Sequence, residues 1–229
     1  MYGHGCDSNG QIKATLGTGS SILLNIGSEC MDDSRGLLTT IAWRKDGKVT
    51  YGLEGIIKSY GDILNWVRDQ LGLFDTYQAG SDLAFKLDSS EGVYFIPALE
   101  GLTAPFWKPE IKASFVGMTR KTNFIHLIRA AFESMCFQTR AVLDEYRRLG
   151  YDVKEIHMDG GSIKNPKFMQ LLSDITKTTI IIGNIEELSA LGALLTIKDT
   201  INYNATIVNT YNPQKSYEDV YQKWLSYIK

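Results

Sequence analysis

From Glu155 onward the sequence alternates strand, helix, strand, helix, and no other feature restricts the fold as much. EIHMD (Glu155 to Asp159) is a short strand, Pro166 to Lys177 has helical character, and TTIIIG (Thr178 to Gly183) is a second strand. A further helix is predicted from Glu187 to about Asp199. Such an order implies a parallel βαβ arrangement with a right-handed crossover. Ahead of it, from Lys13 to Leu53, the pattern is strand-like, with KATLGTG, SSILLNIG, LLTTIAW and KVTYGLEG separated by GTG, SECMDDSRG and RKDG, as in an antiparallel meander. A meander followed by βαβα units in one chain is an α/β layered domain.

Between these two parts the period changes. Ile57, Tyr60, Ile63, Leu64, Val67 and Leu71 fall on one helix face, which predicts a helix from Ile57 to Leu71. A weaker helix covers about Thr76 to Leu87, and GVYFIP (Gly92 to Pro97) reads as a short buried strand. The stretch from Pro97 to Lys112 holds three of the five prolines and reads as an irregular loop, of a length that tends to be functional. ASFVGM (Ala113 to Met118) is another strand. The longest helical pattern runs from Asn123 to Arg148, with Thr122 as its predicted cap and Gly150 as its end. In the tail from Ile201 to Lys229, Tyr217, Tyr221 and Trp224 stand at helical spacing and predict a docked C-terminal helix.

Composition narrows the partners. A formal net charge of −2 over 229 residues excludes a polybasic nucleic-acid binder or a membrane-surface protein, and no apolar run reaches the ~18 residues of a membrane helix. Cys6, Cys30 and Cys136 are odd in number and lack ligand spacing, which argues against a disulfide framework or zinc site and for a cytoplasmic setting. A strand-like segment within about ten residues of Met1 leaves no room for a leading element, so the chain is expected to be part of something larger.

Chemistry is concentrated in a few turns. In DGGSIKNP (Asp159 to Pro166) a strand ends, two glycines let the backbone turn, Asn165 is a good N-cap and Pro166 suits a first helical position. Bare amides at a helix start favour a phosphate or ribose edge. The same residues also make a plain strand-to-helix connection, and the motif alone leaves both readings open. Gly17-Thr18-Gly19 is either a hairpin turn with a positive-φ glycine or a phosphate contact through the Thr18 hydroxyl. In ELSALGA (Glu187 to Ala193), Gly192 inside a helix marks close packing or close approach of a ligand. GLTAPFW (Gly101 to Trp107) is an exposed partner loop or a set of core aromatics. His4, His126 and His157 lack a Ser or Cys elbow and read as structural, and neither GxxxxGK[ST] nor GxGxxG after a strand is present.

Read together, these segments resemble the C-terminal half of the FGGY carbohydrate kinases, most closely the glycerol-kinase branch. The family's second sequence pattern is matched from Ala113 through Phe115, Gly117, Met118, His126, Leu127, Ala130, Ala131 and Phe132 to Glu133. GLLTTIA at Gly36 to Ala42, YGLEG at Tyr51 to Gly55, APFW at Ala104 to Trp107, GMTR at Gly117 to Arg120, DGG at Asp159 to Gly161 and ALGA at Ala190 to Ala193 follow in the family's order.

The resemblance implies a ribonuclease-H-like, actin-like ATPase domain, an α/β fold with a mixed sheet and flanking helices. Residues 1–229 would be a single nucleotide-binding C-terminal domain, the N-terminal substrate domain being absent from the chain. Thr18 would meet the terminal phosphates of ATP, Gly61 and Asn65 would line the nucleotide, and Gly161 with Asn165 would hold the adenosine side. The parent reaction would carry the γ-phosphate of ATP, with Mg2+, to a polyol or sugar hydroxyl. The family's catalytic Asp lies just ahead of the segment resembling YGHGC, so no catalytic residue is expected within the chain, which alone should be inactive. The implied partners are ATP or ADP and, through the missing domain, the polyol or sugar. Asn65 stands where glycerol kinases commonly have Gln, Ser21 replaces a Phe that packs against glycerol, and Lys108 replaces an Asp; the last two put glycerol itself in question. Without the other cleft wall, Phe106 and Trp107 are expected to face water or drive self-association. The alternatives are a non-catalytic nucleotide-binding or interaction module derived from such a kinase and, third, a structural actin-like protein.

Overall fold

The structure, a computed structural model, describes residues 1–32, 35–185, 188–197 and 206–228. The meander forms as its alternation predicts. Strand β1 (Ile12–Leu16) pairs antiparallel with β2 (Ser20–Gly27), while β4 (Lys48–Ile57) lies between β2 and β3 (Leu38–Lys45). Ala14, Leu16, Ile22, Leu24, Leu53 and Ile57 bury their side chains in the core. After helices α1 (Asp62–Asp69) and α2 (Tyr77–Ala84), the short strands β5 (Tyr94–Ile96) and β6 (Ser114–Val116) pair with each other. Helix α3 (Phe124–Arg148) then leads to β7 (Glu155–Asp159), a 3-10 turn (Gly161–Lys164), α4 (Pro166–Thr176), β8 (Thr179–Gly183), α5 (Leu188–Ile197), β9 (Ile207–Tyr211) and α6 (Glu218–Ser226).

Among the described residues one mixed sheet has the order β3-β4-β2-β1-β7-β8-β9, with β1, β7 and β8 mutually parallel. The meander and the βαβ unit therefore share a sheet, joined where Thr15 faces Asp159. This single adjacency sets the turn after β1 beside the turn after β7. The expected α/β mixed sheet with flanking helices is what forms.

Helix α3 packs on the sheet at close range. A Cβ on Gly55 would sit 2.4 Å from Val142 Cγ1, and the Tyr146 hydroxyl donates to the carbonyls of Ile22 (2.9 Å) and Leu53 (3.0 Å). Buried within it, Arg129 pairs with Glu133 at 2.8 Å, and Glu133 also accepts from the backbone and hydroxyl of Ser90. These bonds satisfy an ion pair that would otherwise be costly to desolvate.

The structure departs from the sequence reading in four places. Ile57 ends β4 and Tyr60 lies in the connecting turn, so α1 starts only at Asp62; the Thr18 carbonyl accepts from the amides of both Tyr60 and Asp62 at 3.1 Å and holds the turn open. Helix α3 is capped by Asn123, whose Oδ1 accepts from Ile125 N while His126 closes the capping box; Thr122 instead accepts from Thr119 N. Strand β9, not expected, adds an antiparallel edge to β8. Gly17 and Gly19 have no left-handed φ, so a positive-φ turn does not explain GTG. Both ends of the predicted helix from Glu187 to Asp199 lie outside the described residues. The docked C-terminal helix is present as α6, with Trp224 fully buried. Among the described residues no helix is long and apolar enough to cross a membrane.

Candidate functional site

Three backbone crossings shape a cleft at the end of β1 and β7. Gly61 N donates to Gly17 O at 3.1 Å, and a Cβ on Gly61 would lie 2.5 Å from that oxygen. A Cβ on Gly19 would meet Ile57 O at 2.9 Å. Gly160 has φ 99°, and a Cβ there would fall 2.4 Å from Leu16 O. Glycine is required at these three positions because backbone passes backbone. Gly161 differs: its φ is ordinary and an added Cβ would meet nothing within 4 Å. Its missing side chain leaves room in the cleft itself.

The cleft has a volume of about 710 Å³ and brings together Thr18, Gly61, Asn65, Gly161 and Asn165, all five residues singled out from the sequence. They arrive from three segments: the β1–β2 turn, the start of α1 and the turn before α4. Thr18 is exposed, and its carbonyl is tied to α1 while its hydroxyl side is left to solvent. Asn165 is the N-cap of α4, its Oδ1 accepting from Phe168 N at 3.1 Å, with Pro166 at the first helical position as its sequence predicts. Its Nδ2 donates to Ser81 Oγ at 2.8 Å. Asn65 Oδ1 accepts from the Tyr77 hydroxyl and from Arg68 Nη2.

The opposite wall was not legible in the sequence. Tyr77, Gln78, Ser81 and Asp82 of α2 line the cleft, as do the buried side chains of Phe132 and Phe168. The i, i+4 pairs Tyr77/Ser81 and Gln78/Asp82 mark one helical face, but a polar face on a short helix reads as a solvent face until tertiary structure places it. Lys164 and Lys167 stand at the rim.

Behind the cleft floor, Asp159 is buried and its Oδ2 lies 3.2 Å from His4 Nε2. Desolvation pushes its pKa up, but the His4 hydrogen bond and the charge of Lys13 outweigh this and hold the carboxyl below the ordinary carboxylate range. At the start of α1, burial raises the pKa of Asp62. Among the described residues no cluster of three or more His, Cys, Asp or Glu side chains stands ready for a metal ion.

The other motifs resolve toward packing. A Cβ on Gly192 would lie 2.9 Å from Gly3 N, and one on Gly3 would lie 2.0 Å from Leu188 O, so these glycines let α5 contact the N-terminal turn. In GLTAPFW, Thr103 Oγ1 donates to Ile56 O at 2.6 Å and Phe106 packs on Trp224 with centroids 6.0 Å apart. Phe106 therefore belongs to the core edge rather than an open face, and Trp107, 45% exposed, donates its Nε1 to Gly36 O. Lys108 Nζ donates to Ile228 O at 2.8 Å and ties this loop to the C-terminal segment. Ser21 Oγ donates to Glu54 Oε1 at 2.6 Å.

Comparison with known proteins gives one concordant picture. The model of the FGGY family of carbohydrate kinases, C-terminal domain, matches residues 12–197. A crystal structure of Plasmodium falciparum glycerol kinase with ADP superposes with a TM-score of 0.85 at 30% identity, over 98% of this chain and 47% of that one. Gluconate kinase from Lactobacillus acidophilus gives 0.82 at 22% identity over 99% of this chain and 47% of its own. A ligand-bound xylulose kinase from the same organism gives 0.83 at 22% identity, over 99% and 47%. The last two likenesses speak to fold alone. The chain spans about half the length of the solved structures it matches.

Proposed function

Because the chain belongs to the FGGY family of carbohydrate kinases and has that family's actin-like ATPase fold, we propose that it is the nucleotide-holding half of a glycerol-kinase-like enzyme. That enzyme moves the γ-phosphate of ATP to a hydroxyl of a polyol or sugar. The observation that carries the reading is the convergence of Thr18, Gly61, Asn65, Gly161 and Asn165 on one cleft, where a Cβ added to Gly161 would meet nothing within 4 Å. ADP in the Plasmodium falciparum relative supports a nucleotide as occupant.

In this reading Thr18 donates its hydroxyl to a terminal phosphate, and the Gly17–Gly19 backbone, clamped to the start of α1, fixes that hydroxyl's place. Gly161 lets the adenosine approach the backbone, and Asn165 acts by holding α4 and Ser81 in position. Mg2+ takes oxygen ligands and commonly keeps substrate phosphates among them. In this reading Mg2+ enters with ATP, bound to its phosphates. Phosphoryl transfer rests on positioning and charge stabilisation, with a base orienting the hydroxyl. That base, and the groups that hold the polyol or sugar, belong to a domain outside this chain. Three unpaired thiols support a cytoplasmic setting.

Calorimetry on the purified chain tests this. ADP is expected to bind with a dissociation constant on the order of 0.1 to 1 mM, since half the cleft's clamp is supplied elsewhere. Micromolar binding would make the nucleotide site complete in this chain alone. Incubation with ATP, Mg2+ and glycerol or sugars should give no phosphorylated product, and turnover that Thr18→Val removes would place a base within these residues.

Self-association is part of the proposal, now resting on the exposed Trp107 rather than on Phe106. Sedimentation at high concentration is expected to show a dimer or larger species that Trp107→Ser weakens; a monomer throughout removes the idea.

A further inference from the structure

Resting on the nucleotide reading, we propose that Ser162 is a ligand-binding residue, and that its hydroxyl and the Asn65 side-chain amide together supply the hydrogen bonds that hold the nucleoside in the cleft. Ser162 follows Gly161 in the 3-10 turn, is half-buried and lines the cleft. The turn fixes its place: its carbonyl accepts from Asn165 N at 3.3 Å, and the Gly160 carbonyl accepts from Ile163 N at 3.4 Å. Among the described residues the Ser162 hydroxyl has no hydrogen-bond partner.

Asn65 reaches the same cleft from α1 and is also half-buried. Its Oδ1 accepts from the Tyr77 hydroxyl and from Arg68 Nη2 at 3.4 Å. A guanidinium only donates, so the Asn65 atom turned to Arg68 is the oxygen, and Nδ2 is left without a partner among the described residues. Asn65 thus offers a donor, while Ser162 can donate or accept. The other polar side chains of this wall stand differently. Asn165 and the buried Ser81 are bonded to each other at 2.8 Å, and Asn165 Oδ1 takes the Phe168 amide. Gln78, Asp82, Lys164 and Lys167 are exposed and stay in contact with water when the cleft fills. A nucleoside that displaces water from Ser162 and Asn65 must replace its bonds, because a polar group shut off from water and left unpaired costs free energy. Ribose hydroxyls and base ring nitrogens supply such bonds. An apolar ligand does not, although the buried Leu64, Phe132, Met135 and Phe168 would contact it too.

The test is an NMR titration of the full chain with adenosine and with ADP, on wild type, Ser162→Ala and Asn65→Asp. Asn65→Asp keeps the side chain's shape and replaces its donor by an acceptor; adenosine is uncharged, so repulsion between the new carboxylate and phosphate does not enter that arm. Ser162→Ala is expected to weaken both ligands about three- to tenfold, the effect of one neutral hydrogen bond, and Asn65→Asp to weaken adenosine about tenfold. The Ser162 hydroxyl bonds nothing within the chain, so the thermal midpoint of Ser162→Ala should stay within about 2 °C of wild type. Weakening of less than threefold for either ligand in Ser162→Ala or for adenosine in Asn65→Asp, or a wild-type chain that takes ADP but not adenosine, overturns the proposal and leaves the nucleotide reading standing. Failure of the folded wild-type chain to bind either ligand overturns both.

Discussion

Truncating Trp224 to alanine is expected to lower the free energy of unfolding by about 3 to 5 kcal/mol, the range for large aromatics removed from a packed core. Trp224 has no exposed surface, and its ring lies 5.3 Å from Phe137 and 6.0 Å from Phe106, with Tyr221 stacked beside it at 6.2 Å. Its Nε1 donates to Phe95 O at 2.9 Å, so the truncation also strips a partner from a buried carbonyl. For a domain of this size each kcal/mol moves the midpoint by about 2 to 4 °C, which gives a fall of roughly 6 to 20 °C. Helix α6 lies beyond the residues matched to the family, which end at 197, yet Trp224 touches residues of α3 and anchors the loop at Phe106. Thermal unfolding of Trp224→Ala with a midpoint within 2 °C of wild type would show that the tail is an appendage and not part of the core.

What could be foreseen from the sequence was governed by whether the cause was local. The turn from β7 into α4 was legible because each step has a residue-level reason: a strand that stops, glycines that turn, an Asn that caps and a Pro that starts a helix. The order of strands and helices likewise followed from period. Position 57 and position 60 failed because helical spacing there was coincidental; their burial comes from the end of β4 and from the bond that ties the turn to Thr18. Strand β9 failed because an exposed edge strand shows no apolar alternation. The α2 wall of the cleft failed for a deeper reason. Nothing in TYQAGSDLA announces that Ser81 will meet Asn165, 84 residues on, and only the packing of α2 against α3 and the turn before α4 creates that meeting.

The glycines of the cleft give the second large effect, and it separates scaffold from site. Gly161→Val should abolish ADP binding while leaving stability within about 1 kcal/mol of wild type, because its φ is ordinary and the added Cβ meets no atom within 4 Å. In the proposed complex that space is taken by nucleotide, so a branched side chain there excludes the ligand and nothing else. Gly61→Ala should behave in the opposite sense. Its Cβ would press to 2.5 Å from Gly17 O, a contact that only movement of α1 away from the Gly17–Gly19 turn relieves, so stability falls. Any loss of binding in Gly61→Ala then follows from displacement of Thr18 and α1. Calorimetry with ADP and thermal unfolding, run on both variants, read the two effects apart. Gly161→Val that binds ADP as wild type does would mean the nucleotide does not pass over this turn, and the assignment of Gly161 to the adenosine side would fall with it.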